Sequence, residues 1–141
     1  MAKSAVAQYD TLDVTSLLEH SSDEVVTHSY VRKITLPNND APLALITLDN
    51  GKDHTRPNTL GPHSLIELRD VLWNLQKEAQ AGEISAVAIT GNPFILAAGA
   101  DLSKVGDIPD LETGLTMVQL GHQTLGLLGE LGVPSFCFIN G

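Results

Sequence analysis

The strongest constraint on the fold is a helix with a clear start and a clear end, followed at once by a short strand. Pro62 is typical of the first position of a helix, and Gly82 is typical of the residue just beyond a helix end. Between them, apolar residues recur at helical spacing: Leu65, Ile66, Leu68, Val71, Leu72 and Leu75. Residues 85–90 then form a mostly apolar run, which predicts a buried parallel strand.

Two strands are predicted before this helix. Residues 25–36 are rich in β-branched side chains and partly alternate, and residues 43–48 form a second apolar run. The Pro-Asn-Asn-Asp sequence at residues 37–40 is a dense turn signal. We therefore expect a hairpin, followed by a polar loop that extends to Gly61.

A second helix is predicted over residues 111–131. Its inward face is predicted from apolar residues at helical spacing: Leu111, Leu115, Val118, Leu125 and Leu128. His122 falls on the same face and is expected to be a satisfied core or interface histidine. Residues 135–139 read as a further core strand, in which Cys137, the single cysteine, would be a buried and unreactive thiol.

The alternation of strands and helices predicts an α/β fold with helices that cover a sheet. Residues 1–22 are weakly patterned and are interpreted as an N-terminal extension, so the domain would span residues 23–141. Because the sequence stops at Gly141 directly after a predicted core strand, we expect it to be a fragment of a larger domain.

Charge and hydropathy exclude several classes of function. The formal net charge is −9, and no lysine or arginine follows Lys104, which disfavours binding to nucleic acid or to anionic membranes. No stretch has the length and hydropathy of a membrane helix, and the N-terminus lacks the apolar segment of a secretion signal. The sequence therefore predicts a cytoplasmic protein.

The stretch ILAAGADLSK, residues 95–104, joins an apolar run to a predicted helix start through four small residues. Asp101 is a favoured N-cap, so the Ala100 N–H would lie just before a helix N-terminus. Such an N–H can stabilise a developing oxyanion, and small neighbours allow a carbonyl group to approach. A tight turn packed under a helix explains the same residues without any chemistry.

Four motifs, in order, resemble the crotonase superfamily, whose best-known member is enoyl-CoA hydratase. They are ALITLDN followed by RPNTLG, ISAVAITG, FILAAGADLSKV and GVPSFCFING, which together cover residues 43–141. The resemblance implies an α/β, crotonase-like (ClpP/crotonase) layered ββα fold, of which the chain would be a truncated N-terminal portion. It is also similar to the hydratase region of multifunctional fatty-acid oxidation enzymes, which would carry a dehydrogenase downstream.

The resemblance implies roles for individual residues. Ala100 would donate the first N–H of an oxyanion hole for an acyl-CoA thioester. The coenzyme A pocket would be lined by a wider set: Thr59, Leu60, Ala98, Gly99, Ala100, Asp101, Leu102 and Lys104. Three cations are candidates for phosphate contacts, with solvated surface charge an equal alternative: Lys52, Arg56 and Lys104. Asp101 would be a structural cap and His54 an ordinary loop residue.

The matching motifs also depart from the family pattern. Leu96 stands where phenylalanine is usual, Ala97 where a small polar residue is common, and residues 136–138 are bulkier than usual. In the family, the second oxyanion donor and the catalytic glutamates would follow Gly141, and three acids within the chain match none of those positions: Glu67, Glu112 and Glu130. We therefore expect the chain alone to be inactive.

Several readings of the function stay open. The first is an enoyl-CoA hydratase/isomerase-type enzyme of fatty-acid β-oxidation, with coenzyme A as part of the substrate and with no metal or covalently bound cofactor. The second is another crotonase chemistry, as an acyl-CoA hydrolase, decarboxylase or dehalogenase. The third is a non-catalytic binding or assembly module. The family forms trimers or dimers of trimers, so a homo-oligomer is expected for the full-length protein, and aggregation or another oligomer for the isolated chain.

Overall fold

A computed structural model describes residues 12–141 of the chain. The sheet contains four strands: β1 (His28–Ile34), β2 (Leu43–Asp49), β3 (Ala86–Gly91) and β4 (Ser135–Phe138). The α-helices within the described range are α1 (Thr15–Glu19), α2 (Pro62–Gln80) and α3 (Leu111–Gly126). Two 3-10 helices follow β3 and α3, at Leu102–Asp107 and Leu127–Gly129.

The sheet has the order β1-β2-β3-β4, which is also the order along the chain. Strands β1 and β2 are antiparallel, with Val31 opposite Ile46, so the predicted hairpin is confirmed. Strand β3 runs parallel to β2 and β4 runs parallel to β3. Because a parallel pair requires a crossover, α2 connects β2 to β3 and α3 connects β3 to β4. The predicted α/β alternation is confirmed.

Helix α2 covers the centre of the sheet with the predicted face. Pro62 is in its first turn, and Gly82, with φ of +73°, follows its end. Leu68 and Leu72 are fully buried, as are Ile46 on β2 and Val87 on β3. These side chains belong to one apolar cluster, which forms the main core of the protein.

A second, smaller cluster joins α1 to the two long helices. Leu17 on α1 is buried against Leu65 of α2 and Leu120 of α3. The predicted N-terminal extension, residues 1–22, lies partly outside the described residues, and its boundary with the domain at residue 22 stays a prediction.

Helix α3 turns a different face to the core than the sequence predicts. Four of its five predicted inward residues are exposed, at 79% for Leu111, 52% for Leu115, 54% for Val118 and 46% for Leu125. The fifth, Leu128, packs against the main core as predicted. His122 is also exposed, so it is not a core histidine, while its prediction as an interface histidine stays a prediction. The residues that are buried instead are Thr113, Leu120 and Thr124.

Small residues explain this orientation of α3. The Thr124 hydroxyl donates a hydrogen bond of 3.4 Å to the Leu65 carbonyl of α2, and a Cβ added at Gly121 would lie 3.9 Å from the Leu65 side chain. Threonine and glycine let the two helices approach closely, since interaxial distance depends on the side chains at the contact. The helix therefore packs against α2 through Leu120 together with these small residues, and hydrophobic spacing alone indicates the wrong face.

Strand β4 is present where predicted but is not a core strand. All four of its residues are exposed, including Phe136 at 51% and Phe138 at 58%. Cys137 is therefore an exposed free thiol, and the prediction of a buried thiol is wrong. The strand lies at the edge of the sheet, where its position after β3 satisfies the backbone pairing but does not bury its side chains.

Among residues 12–141, no helix combines the length and the apolar character that crossing a membrane requires.

Candidate functional site

The candidate site lies where the loop after β2 meets the segment after β3. The Ala98 N–H donates to the Asn58 carbonyl at 2.8 Å, and the Leu60 N–H donates to the Gly99 carbonyl at 2.9 Å. Thr59 and Gly99 form an isolated parallel bridge. Four residues that the sequence predicted for one pocket are thus brought together, although about forty positions separate the two segments.

A fully buried amide, Asn58, joins these segments to the end of β2. Its side-chain oxygen accepts from the Asn50 N–H at 2.8 Å. Its side-chain nitrogen donates to the carbonyls of Leu48 at 3.0 Å and Leu96 at 2.9 Å, with a longer contact of 3.3 Å to Ile95. Both hydrogens of the side-chain NH₂ group are therefore used, and the side-chain oxygen accepts one hydrogen bond. Asn58 therefore fixes the position of both loops.

The segment after β3 crosses directly over the end of that strand. A Cβ added at Gly91 would lie only 2.0 Å from the Ile95 carbonyl oxygen, so only glycine fits. The Asn92 side chain accepts hydrogen bonds from the N–H groups of Phe94 and Ile95, at 3.2 and 3.1 Å. Gly99 then adopts φ of +83°, which turns the chain outward.

This turn leaves the small residues of the stretch exposed. Ala98, Gly99 and Ala100 all face solvent. Within residues 12–141, no acceptor takes a hydrogen bond from the Ala100 N–H, whereas the Ala98 N–H is satisfied by Asn58. A free backbone donor on an exposed small residue is open to an incoming acceptor.

Asp101 caps the short helix that follows Ala100. Its carboxylate accepts from the Ser103 N–H at 3.0 Å and from the Ser103 hydroxyl at 2.6 Å. The predicted helix start is therefore present, but the element is a six-residue 3-10 helix and not an α-helix. Its dipole is short, so the local contribution to anion binding comes mainly from the N–H group itself.

Ala100 borders a cavity of about 80 Å³ that also opens beside α1 and α2. Apolar side chains from four parts of the chain line it: Leu17, Pro62, Val105, Ile108 and Met117. Polar and charged residues also line the cavity: His20, Asp23, Glu24, Asp101, Lys104 and Asp107. An apolar cavity beside a free N–H suits a ligand with a hydrocarbon part next to a carbonyl oxygen.

Glu24 is a residue of this wall that the sequence did not indicate. Its carboxylate accepts from the N–H groups of His63 and Ser64, at 2.8 and 3.0 Å, and from the Ser64 hydroxyl at 2.6 Å. It therefore caps the N-terminus of α2, where a Cβ added at Gly61 would meet it at 2.4 Å. No local pattern could reveal this contact, because Glu24 lies 39 or 40 positions from its partners.

Lys104 is held by carboxylates in this structure. Its ammonium group pairs with Asp23 and lies 3.9 Å from Asp107. The hydrogen bond that the Lys104 ammonium group donates to Asp23 raises the pKa of Lys104 and lowers the pKa of Asp23. A phosphate that binds Lys104 must compete with these two acids.

The remaining predicted residues are exposed and do not line the cavity. Leu102 is 80% exposed. Lys52 is exposed, and Arg56 pairs with Asp53 at 3.3 Å. The ring of His54 packs against Phe94, with ring centroids 5.1 Å apart, so this pair is a further contact between the loop after β2 and the segment after β3.

Among residues 12–141, no three histidine, cysteine, aspartate or glutamate side chains are grouped so that they could hold a metal ion.

This combination of a mixed sheet, crossover helices and an exposed loop after β3 belongs to the class of crotonase-like α/β folds. The enoyl-CoA hydratase of Bacillus anthracis matches 81% of this chain with a TM-score of 0.64 and 24% sequence identity. The enoyl-CoA hydratase of Shewanella pealeana ATCC 700345 matches 99% with a TM-score of 0.61 and 17% identity. DspI of Pseudomonas aeruginosa matches 79% with a TM-score of 0.59 and 27% identity. The predicted resemblance to the crotonase superfamily is thus confirmed for the fold.

The chain spans 40%, 44% and 38% of the length of these three proteins, respectively. No protein-family model and no curated protein sequence matches the chain.

Proposed function

We propose that the chain binds acyl-CoA thioesters at the Ala100 loop and supplies one half of an oxyanion hole. The observation that carries this proposal is the free N–H of Ala100 beside an apolar cavity. The thioester carbonyl would accept a hydrogen bond from this N–H, and the acyl carbons would enter the cavity. The solved enoyl-CoA hydratases that share the fold support acyl-CoA as the substrate class.

The proposed chemistry is the polarisation of the thioester carbonyl toward an enolate. Negative charge grows on the carbonyl oxygen along this path, so a fixed N–H contributes more to the transition state than to the ground state. Asn58 supports this role, because a donor that is positioned before binding needs no reorganisation. Together with a second donor and general acid–base groups, the site would perform enoyl-CoA hydratase or isomerase chemistry of the kind used in fatty-acid β-oxidation.

A non-catalytic acyl-CoA-binding module is the second candidate. The acids beside the cavity favour it, since Glu24 caps α2, Asp101 caps the 3-10 helix and Asp23 pairs with Lys104. Carboxylates held in this way are poor proton carriers. Both candidates bind the same thioester, and they differ in whether chemistry follows.

Calorimetry with two ligands tests the shared binding step. Acetoacetyl-CoA carries the thioester carbonyl, and a thioether analogue of the same length lacks it. We expect the chain to prefer the thioester by about five- to ten-fold, the effect of one hydrogen bond to a partly charged acceptor. Ala100→Pro deletes the N–H and should abolish the preference, whereas Ala100→Gly keeps the N–H and should retain it. An equal preference in all three proteins would overturn the role of Ala100.

A further inference from the structure

A buried threonine next to β1 holds the loop that carries part of the candidate site. Thr27 directly precedes β1 and is fully buried, although its side chain is polar. Its hydroxyl donates a hydrogen bond of 2.7 Å to the Thr59 carbonyl, which lies 32 positions further along the chain. Its own N–H donates to the Ser64 hydroxyl oxygen of α2 at 2.9 Å. Helix α2 therefore fixes Thr27, and Thr27 fixes the loop after β2.

Two peptide groups connect the Thr27 hydroxyl to the free N–H of Ala100. The first contains the Thr59 carbonyl and the Leu60 N–H, and this N–H donates to the Gly99 carbonyl at 2.9 Å. The second contains the Gly99 carbonyl and the Ala100 N–H. In a planar trans peptide group the C=O and N–H bonds point in opposite directions. The hydrogen bond that fixes the Gly99 carbonyl therefore also fixes the direction of the Ala100 N–H.

We propose that Thr27 is a positioning residue for the Ala100 N–H and strengthens it as a hydrogen-bond donor. Hydrogen bonds in series polarise one another, so the Thr27 hydroxyl makes the Leu60 N–H a better donor. The Leu60 N–H in turn makes the Ala100 N–H a better donor. A thioester carbonyl would be the last acceptor in this series. The inference rests on the proposed function, because it concerns the same donor at Ala100.

Burial supports this role of the threonine hydroxyl. Thr27 and Ser64 are both fully buried, and hydrogen bonds are electrostatically stronger where water is excluded. The Ser64 hydroxyl donates to the Glu24 carboxylate at 2.6 Å, so the support of Thr27 ends on a charged group. Thr27 itself does not line the cavity beside Ala100. Its effect on a ligand would therefore pass through the two peptide groups.

Three substitutions separate positioning from a merely structural role. Thr27→Val keeps the shape and removes the hydroxyl, so the preference for acetoacetyl-CoA over its thioether analogue should fall to about two- to three-fold. Affinity for the thioether should not change, because that ligand does not use the Ala100 N–H. Thr27→Ser keeps a hydroxyl and should retain the full preference. Thr124→Val alters another fully buried threonine, which donates to the Leu65 carbonyl, and should also retain it.

Calorimetry measures these preferences, and circular dichroism checks that each variant is folded. An undiminished preference in Thr27→Val would overturn the role of Thr27 and leave that of Ala100 intact. A loss in Thr27→Ser or Thr124→Val as large as in Thr27→Val would overturn it equally. If the unmodified chain shows no preference for the thioester, the proposed function fails, and this inference fails with it.

A measurement on the unmodified chain does not depend on the folding of any variant. A carbonyl that accepts from the Ala100 N–H makes the Gly99 carbonyl a stronger acceptor, so the Leu60 amide proton should shift downfield when acetoacetyl-CoA binds. The thioether analogue lacks the thioester carbonyl and should not produce this shift. Proton–nitrogen correlation spectra of the isotopically labelled chain record both titrations. An equal shift with both ligands, or no shift with acetoacetyl-CoA, would overturn the proposal.

Discussion

A single buried amide holds the two loops of the candidate site in place. Asn58 satisfies the carbonyls of Leu48 and Leu96 and an N–H of Asn50 within a fully buried position. A polar group in such a place stabilises the fold only while all of its partners are present, because each unpaired buried group costs about 1–3 kcal/mol. The site and the stability of the surrounding loops therefore depend on the same side chain.

Replacing Asn58 by alanine tests this dependence. We expect Asn58→Ala to reduce the free energy of unfolding by about 3 kcal/mol, since it leaves two buried carbonyls and one N–H unpaired. Asn39→Ala removes an exposed amide that accepts one hydrogen bond of 3.3 Å in the β1–β2 turn, and it should cost less than about 0.5 kcal/mol. Urea denaturation measures both. Equal losses would show that burial of the amide has no special role.

The ion pair between Lys104 and Asp23 leads to a prediction about the affinity for coenzyme A. If Lys104 contacts a phosphate of coenzyme A, Asp23→Asn should strengthen coenzyme A binding about three-fold, because it removes a competing partner of an exposed pair. Asp40→Asn makes the same change in net charge in the exposed turn before β2 and should have little effect. Calorimetry separates the two. Identical affinities in both variants would remove Lys104 from the binding site.

Sequence reasoning reached some of these residues and missed others for a physical reason. The cap at Asp101 and the neighbouring N–H of Ala100 could be predicted, because local spacing defines both. The hydrogen bonds of Glu24 and Asn58 join segments that are distant in the sequence, and no pattern in the adjacent residues predicts them. The role of Ala100 as an oxyanion donor stays a prediction.

At the scale of elements, α2 and α3 show when periodicity is reliable. In α2, large apolar side chains face the sheet, so hydrophobic spacing indicates the buried face correctly. In α3, the buried residues are Leu120 and two threonines, whereas most of the large apolar side chains face outward. Periodicity locates both helices, but it cannot tell which face meets the core when close packing favours small residues.

The N-cap of α3 predicts a pH effect. The hydrogen bond from the Thr113 N–H, 2.7 Å long, lowers the pKa of Asp110 from its ordinary value. A group whose pKa is lower in the folded state stabilises the protein above the unfolded pKa, and this stabilisation is lost as the pH falls through the folded pKa. We expect Asp110→Asn to lower the melting temperature at about pH 6 and to have a smaller effect at about pH 3.

The control for this experiment is Asp70→Asn on the exposed side of α2, away from any cap. Thermal melts followed by circular dichroism measure all three proteins. A difference between Asp110→Asn and the unmodified chain that stays constant with pH would show that the carboxylate does not stabilise α3.

At the scale of the whole molecule, the sequence predicts the hairpin, the parallel strand and the alternation that generates the sheet. The edge position of β4 was not predictable, because the composition of Phe136 to Phe138 is that of a core strand. Burial is a property of what packs against a segment, and the segment itself does not encode it. The four-stranded sheet therefore follows from the sequence, while the exposure of its last strand does not.

We expect the chain to bind a thioester without hydrating it. The described carboxylates beside Ala100 are engaged as caps or in an ion pair, so none of them is a free general base for a water molecule. Loss of absorbance of crotonyl-CoA measures hydration, and an active enoyl-CoA hydratase assayed with the same substrate stock is the positive control. Turnover above the uncatalysed rate would contradict this expectation and favour the catalytic candidate.

The hydrogen bonds around Asn58 predict different rates of hydrogen–deuterium exchange at two nearby backbone amides, those of Ala98 and Ala100. The Ala98 amide is bonded to a residue that is fully buried, so its hydrogen should exchange slowly, through opening of the loop. The Ala100 amide, two positions further on, has no such bond within residues 12–141 and should exchange quickly. A thioester that binds as proposed would slow exchange at Ala100 and leave exchange at Ala98 unchanged. One experiment would therefore report both the rigidity of the loop and the binding of the thioester.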